Sequence, residues 1–198
     1  MQKIILASQS PRRKQLLEWA EVPFEVVTKS TDETYPEGLI VEEIPIYIAR
    51  EKALEVKRTL IEAGRSGVES NIILAADTVV VLDSKIIGKP ADRQDAIEIL
   101  TALSGKTHQV ITGVVIQNGQ KEISFSDVTW VDFHPLTSSQ IEFYVDKYKP
   151  YDKAGAYAIQ EWIGVVGIKS VRGDFYNVMG LPVSRVVQEL AAIDSVEN

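Results

Sequence analysis

The stretch NIILAADTVVVL, Asn71 to Leu82, sets an apolar β-type run around a single carboxylate, Asp77. Eleven or twelve residues of this kind predict one long strand. A carboxylate inside such a run is expected to be at least partly buried. Burying an unpaired charge costs several kcal/mol, so Asp77 needs a cation, a metal or a proton. Two readings stay open: a metal-holding or water-activating carboxylate at a strand end or bulge, and a bulge whose Asp caps its own backbone.

Upstream, EEIPIYIAREKALEVKRTLIEAG predicts a helix, with Pro45 near its start and Gly64 just past its end. Its apolar stripe holds Ala49, Ala53, Val56 and Leu60. Lys52 lies within that stripe, able to reach into a cleft or to snorkel to water. KIILA (Lys3–Ala7) reads as a short buried strand. PFEVVTKSTDE reads as a strand running into a polar loop, which places Asp32 and Glu33 on the loop.

Downstream, ADRQDAIEILTALSG reads as an amphipathic helix closed by Gly105. Asn118-Gly119 between two alternating arms marks a hairpin. TSSQIEFYVDKYKP predicts a helix opened by a Ser139-x-x-Glu142 capping box. YDKAGAYAIQEWIGVVGIKSVRGDFYNVMG is Gly-rich and strand-like, and LPVSRVVQELAAI is a last helix started by Pro182. Mixed helices, hairpins and strands indicate α/β or α+β rather than a bundle.

LASQSPRRKQLLE, Leu6 to Glu18, poses an electrostatic question. Ser10 sits where an N-cap belongs and Pro11 at the first helical position. Arg12 and Arg13 then face the positive end of the helix dipole, each costing about 0.3–1 kcal/mol. They are either two solvated surface arginines or part of an anion site.

The chain has 198 residues, 45 % of them hydrophobic, and a formal charge of −7. That length suits one domain, taken as residues 1–198. The negative charge argues against a general nucleic-acid binder. No 18-residue apolar run and no basic leader are present, so neither a membrane span nor targeting is expected. With no cysteine there is no disulfide, thiolate catalysis or Cys-ligated metal, which suits a cytoplasmic protein. Two histidines give no HExxH, so any metal falls to carboxylates, favouring Mg²⁺ or Mn²⁺. Gly105-Lys106-Thr107 imitates a P-loop, but Leu100 stands where its first glycine belongs. Lys89, between Gly88 and Pro90, is confined to a turn. Gln160 could read a base edge or bond the backbone. Four cationic contacts to an anion would supply on the order of 6–12 kcal/mol gross. Micromolar-to-millimolar binding needs only about 4–8 kcal/mol.

The opening segment, AADT (Ala75–Thr78), GKP (Gly88–Pro90), SGKTHQVITGV (Ser104–Val114), DKAGAYAIQ (Asp152–Gln160) and NVMGLP (Asn177–Pro182) occur in one order. Together they resemble the Maf family of nucleoside triphosphate pyrophosphatases. The resemblance covers about residues 3 to 190. It implies an α/β fold similar to inosine triphosphate pyrophosphatases, two-lobed and elongated, with a twisted mixed sheet, flanking helices and a central cleft. It implies hydrolysis of a nucleoside triphosphate to the monophosphate and pyrophosphate with a divalent cation, and it is compatible with a homodimer. By motif match Asp77 is the general base, and Ser8, Arg12, Arg13, Lys52 and Lys89 contact phosphate. Arg12, Thr78 and Gln160 match positions tied to base selection, and Glu33 joins Asp77 as a metal-site acid. SPRR, AADT and AYAIQ resemble the branch acting on dTTP and UTP rather than the one acting on 7-methyl-GTP. Two features depart from the family: Glu161-Trp162 follows Gln160 where glycine is common, and the loop Glu62–Asn71 is slightly long. A second class of function stays open, a nucleotide-sensing module in cell division with incidental hydrolysis.

Overall fold

A computed structural model describes residues 3–65, 67–68 and 71–196. In chain order the first elements are β1 (Ile4–Leu6), α1 (Pro11–Trp19), β2 (Phe24–Val26), α2 (Ile44–Glu62) and β3 (Ile72–Leu82). Then come β4 (Lys85–Ile87), α3 (Arg93–Leu103), β5 (Thr107–Asn118), β6 (Lys121–Phe133) and α4 (Ser138–Tyr148). A 3-10 turn at Ala154–Ala156 precedes α5 (Trp162–Gly167), β7 (Ile168–Arg172), α6 (Phe175–Met179) and α7 (Val183–Val196). Residues 66, 69 and 70 of the long loop noted above lie outside the described residues.

The described strands form a seven-stranded mixed sheet in the order β2-β1-β3-β5-β6-β7, with β4 on β3. β1 is parallel to both β2 and β3, pairing Ile4 with Phe24 and Ile5 with Ile73. β4 and β7 are antiparallel to β3 and β6. The parallel pairs need helical crossovers, which α1 and α2 supply. The mixed α/β class follows from this arrangement.

Chain contacts divide the described residues into two compact units. The first takes them from Met1–Asp77, Thr112–Asp127 and Gly180–Asn198. Its core is a cluster of Ile5, Ala7, Ala49, Ala53, Val56, Leu60, Val68, Ile73, Ala75 and Val115. Each larger aliphatic buried there contributes about 1.5–3 kcal/mol. Close approach of α2 requires Gly113 on β5, because a Cβ there would lie 2.2 Å from the Ile46 backbone nitrogen.

The second unit takes Thr78–Ile111 and Val128–Met179. The β3–β4 reversal uses Asp83 (φ 49°) and Ser84 (φ 65°), both left-handed, as a type I′ turn demands. Asp92 caps α3 by accepting from the Asp95 amide at 2.9 Å. Arg93 donates to Asp146, joining α3 to α4.

Four local expectations are refined or corrected. Ser10 has the extended backbone of an N-cap but its side chain makes no capping bond. The α4 capping box is Thr137 with Gln140, two residues before the Ser139–Glu142 pair. The strand-like Gly-rich segment contains the short helices α5 and α6, with only Ile168–Arg172 as strand. Asp77 also lies inside a continuous strand rather than at a strand end.

Candidate active site

Alternation along β3 puts Ile73, Ala75 and Asp77 on one face, the face covered by α2. Ala49 and Ala53, small and four residues apart, let α2 lie close to that face. Lys52 immediately precedes Ala53 and reaches along the same side. Its Nζ donates to Asp77 Oδ1 at 2.7 Å and to Glu33 Oε1 at 2.9 Å. The side chains of Lys52 and Asp77 are only 16 % and 12 % exposed. The buried carboxylate therefore has its cation, and one ammonium holds two acids from separate segments.

Arg13 is buried, so the reading of α1 as bearing two solvated arginines fails for this residue. Its Nε donates to the Gly180 carbonyl at 2.7 Å and its Nη1 to Ser8 Oγ at 3.1 Å. Ser8 Oγ also accepts from the Ser10 amide at 3.3 Å. Burial pushes the Arg13 pKa down from its ordinary value; the Asp77 and Glu33 charges act upward and Arg12 downward. A guanidinium starts so high that it stays cationic. Arg12 is half-buried on the same turn. Ser8, Arg12, Arg13, Glu33, Lys52 and Asp77 thus belong to one unit, linked by direct bonds or by charge. Three cations face two carboxylates there, a balance suited to an anion.

Thr78, Lys89 and Gln160 fall in the second unit. Thr78 is half-buried on β3, one residue past Asp77 and so on the opposite face. Lys89 is exposed on the turn after β4, and Gln160 is exposed before α5. The segments bearing Lys89 and Gln160 are tied together, since the Gly155 amide donates to the Gly88 carbonyl at 3.1 Å. Gly155 has φ 72° and its Cβ would meet Val80 Cγ2 at 2.9 Å, so glycine is needed on both counts.

The Gly180 carbonyl was invisible to sequence reasoning, although NVMGLP stood out as a motif. So was the setting of His108, buried in the second unit, whose Nε2 shares a hydrogen bond with Tyr157 Oη at 2.7 Å. The imidazole stacks on Phe133 with ring centres 5.4 Å apart. Burial pushes its pKa down to about 4, against a weaker upward pull from Asp132, so it is neutral at pH 7. Among the described residues no group of three or more His, Asp or Glu gathers as a ready-made metal cage. None of the described helices is long and apolar enough to cross a membrane.

The family described as Maf-like protein matches residues 3–193. A dTTP/UTP pyrophosphatase of Cytophaga hutchinsonii is 50 % identical over 187 residues, covering 94 % of this chain and 82 % of that protein. One from Parabacteroides distasonis is 48 % identical over 189 residues, covering 95 % and 94 %. One from Bacteroides thetaiotaomicron gives the same identity and coverage.

Proposed function

The chain belongs to the Maf family, and from that premise we propose that it hydrolyses dTTP and UTP to the monophosphate and pyrophosphate. The observation that carries the reading is the Glu33–Lys52–Asp77 bridge in the same unit as buried Arg13. Polyphosphate chemistry needs cations fixed beside a carboxylate, and this unit supplies both. Two relatives near half identity over nearly the whole chain bear the name dTTP/UTP pyrophosphatase.

In the proposed reaction water attacks the α-phosphorus. The bond from that phosphorus to the bridging oxygen breaks and pyrophosphate leaves. Asp77 orients the water and accepts its proton. Arg12, Arg13 and Lys52 hold phosphate oxygens and offset charge growing on the leaving group; the family resemblance gives Lys89 the same role. Ser8 and the Gly180 carbonyl keep Arg13 in one orientation, so little ordering remains to be done on binding. The family resemblance ties Thr78, Arg12 and Gln160 to base selection.

A divalent cation fits the donor set. Asp77 and Glu33 already converge on one cation, the Lys52 ammonium. Two carboxylates with phosphate and water oxygens are the usual surroundings of Mg²⁺. Asp77 and Glu33 would hold the ion, which supplies Lewis-acid polarisation of a phosphoryl oxygen. The protein is read as cytoplasmic because it lacks cysteine, and a homodimer is compatible with the family resemblance.

The test is steady-state pyrophosphate release from dTTP, UTP, CTP, ATP, GTP and 7-methyl-GTP, with Mg²⁺, with Mn²⁺ and with chelator. Preference for dTTP and UTP, lost on chelation and restored by either metal, is the expected result. Tight nucleotide binding without turnover on any of these would replace the enzyme with the nucleotide-sensing module.

A further inference from the structure

Gln160 is an exposed amide on an unusually well-tied turn, and every tie lies within the second unit. The Tyr144 hydroxyl, fully buried on α4, accepts from the Ala158 amide at 3.1 Å and donates to the Glu161 carboxylate. That hydroxyl is thereby used both as acceptor and as donor, on residues two before and one after Gln160. The Glu161 amide closes the turn on the Ala158 carbonyl at 3.1 Å. Lys153, itself buried, places its ammonium 3.7 Å from the Glu161 carboxylate. Beyond the turn, Gly164 lets α5 pack on the Ile159 carbonyl, where a Cβ would come within 1.7 Å. Trp162 meets Phe143 edge-on, ring centres 4.9 Å apart, so α4 and α5 are joined by contacts besides Glu161.

This arrangement accounts for Glu161-Trp162 in this chain. The glutamate is partly buried, bonded to Tyr144 and beside a cation, and its placement fixes the backbone of the residue before it. A glutamine amide presents one donor and one acceptor at fixed spacing. That pattern matches the N3–H and O4 edge of uracil or thymine, but only when the amide is held at the right distance.

We propose that Glu161 and Tyr144 are positioning residues that hold Gln160 for recognition of the pyrimidine edge, an inference resting on the reading of Gln160 as a base contact. Neither side chain touches the nucleotide. Their removal loosens selection while leaving the phosphate chemistry in place.

The experiment compares kcat/KM for UTP and CTP in the full chain and in Gln160→Ala, Glu161→Ala, Glu161→Gln and Tyr144→Phe, with melting temperatures alongside. Glu161→Ala and Tyr144→Phe should each narrow the UTP-to-CTP ratio about tenfold, the scale of one hydrogen bond to a charged group. The change should appear in KM for UTP, with kcat within about twofold. Glu161→Gln keeps an acceptor for Tyr144 and should restore most of the ratio. The double variant Glu161→Ala/Tyr144→Phe should lose no more than either single one, as members of one network do. If Gln160→Ala collapses the ratio while Glu161→Ala and Tyr144→Phe keep it, the positioning role is wrong and the base contact stands. If Gln160→Ala leaves the ratio unchanged, the base contact itself is wrong and the proposal goes with it. Should Glu161→Ala not fold, Tyr144→Phe alone decides in the same way.

Discussion

Replacing Arg13 by lysine keeps the charge and removes the fork. The guanidinium satisfies Gly180 and Ser8 with two separate nitrogens, at 2.7 and 3.1 Å. A lysine ammonium is one point charge and cannot hold both partners while also facing a phosphate. A hydrogen bond to a charged group is worth about 1.5–3 kcal/mol. Losing one and weakening the other should cost about 2–3 kcal/mol of folding stability, measured by urea unfolding. The lost orientation should also reduce kcat/KM for UTP between tenfold and a hundredfold, since each 1.36 kcal/mol is about a factor of ten. Arg12→Lys is the internal comparison. Arg12 is half-buried, and its exchange should change unfolding stability by less than about 0.5 kcal/mol. If Arg13→Lys matches the native protein within about 0.5 kcal/mol and twofold in kcat/KM, the buried fork does no positioning and the reasoning about α1 is refuted.

Two further outcomes are expected. His108 has a folded pKa of about 4, lowered by burial from an ordinary value of 6.5. The unfolded chain therefore binds the extra proton first, and stability falls as pH drops from 6.5 toward 4. At pH 5 the histidine accounts for about 2 kcal/mol of that loss. His108→Gln should remove it, seen as a smaller pH 7-to-5 difference in unfolding free energy; an unchanged difference would place the imidazole in contact with water. Gly113→Ala pushes a methyl into the backbone of Pro45 and Ile46 and should destabilise by about 2–3 kcal/mol or more, measured by thermal unfolding.

Much of the first unit was legible because its signals are long and agree with one another. The β3 run, the α2 stripe and the carboxylate within β3 all speak through periodicity. The structure adds that α2 covers the face of β3 bearing Asp77. The pairing with Lys52 follows once Ala49 and Ala53 are known to face the sheet. Glu33 was harder, because a loop acid has no periodicity and only its bond to Lys52 distinguishes it from Asp32.

Other features were hidden for definite reasons. Gly180 offers Arg13 a backbone carbonyl from 167 residues away, and no side chain announces such a contact. The α4 start offered two overlapping boxes, Thr137 with Gln140 and Ser139 with Glu142. The choice depends on where β6 releases the chain, with the His134 amide already bonded to Gly167. The β3–β4 hairpin turns on Asp83-Ser84, a weaker type I′ signal than the Asn118-Gly119 of the next hairpin. α5 and α6 have six and five residues, too few for a helical period to show.

The central claim is that Asp77 carries the chemistry while its neighbours hold the phosphates. Asp77→Asn is close to isosteric and can still accept from Lys52, so fold and nucleotide affinity should persist. The direct measurement is pyrophosphate release from UTP by this variant, beside UTP binding by calorimetry. Turnover reduced about 10²–10⁴-fold with affinity retained is the predicted result. Turnover within a few-fold of the native protein would contradict the account.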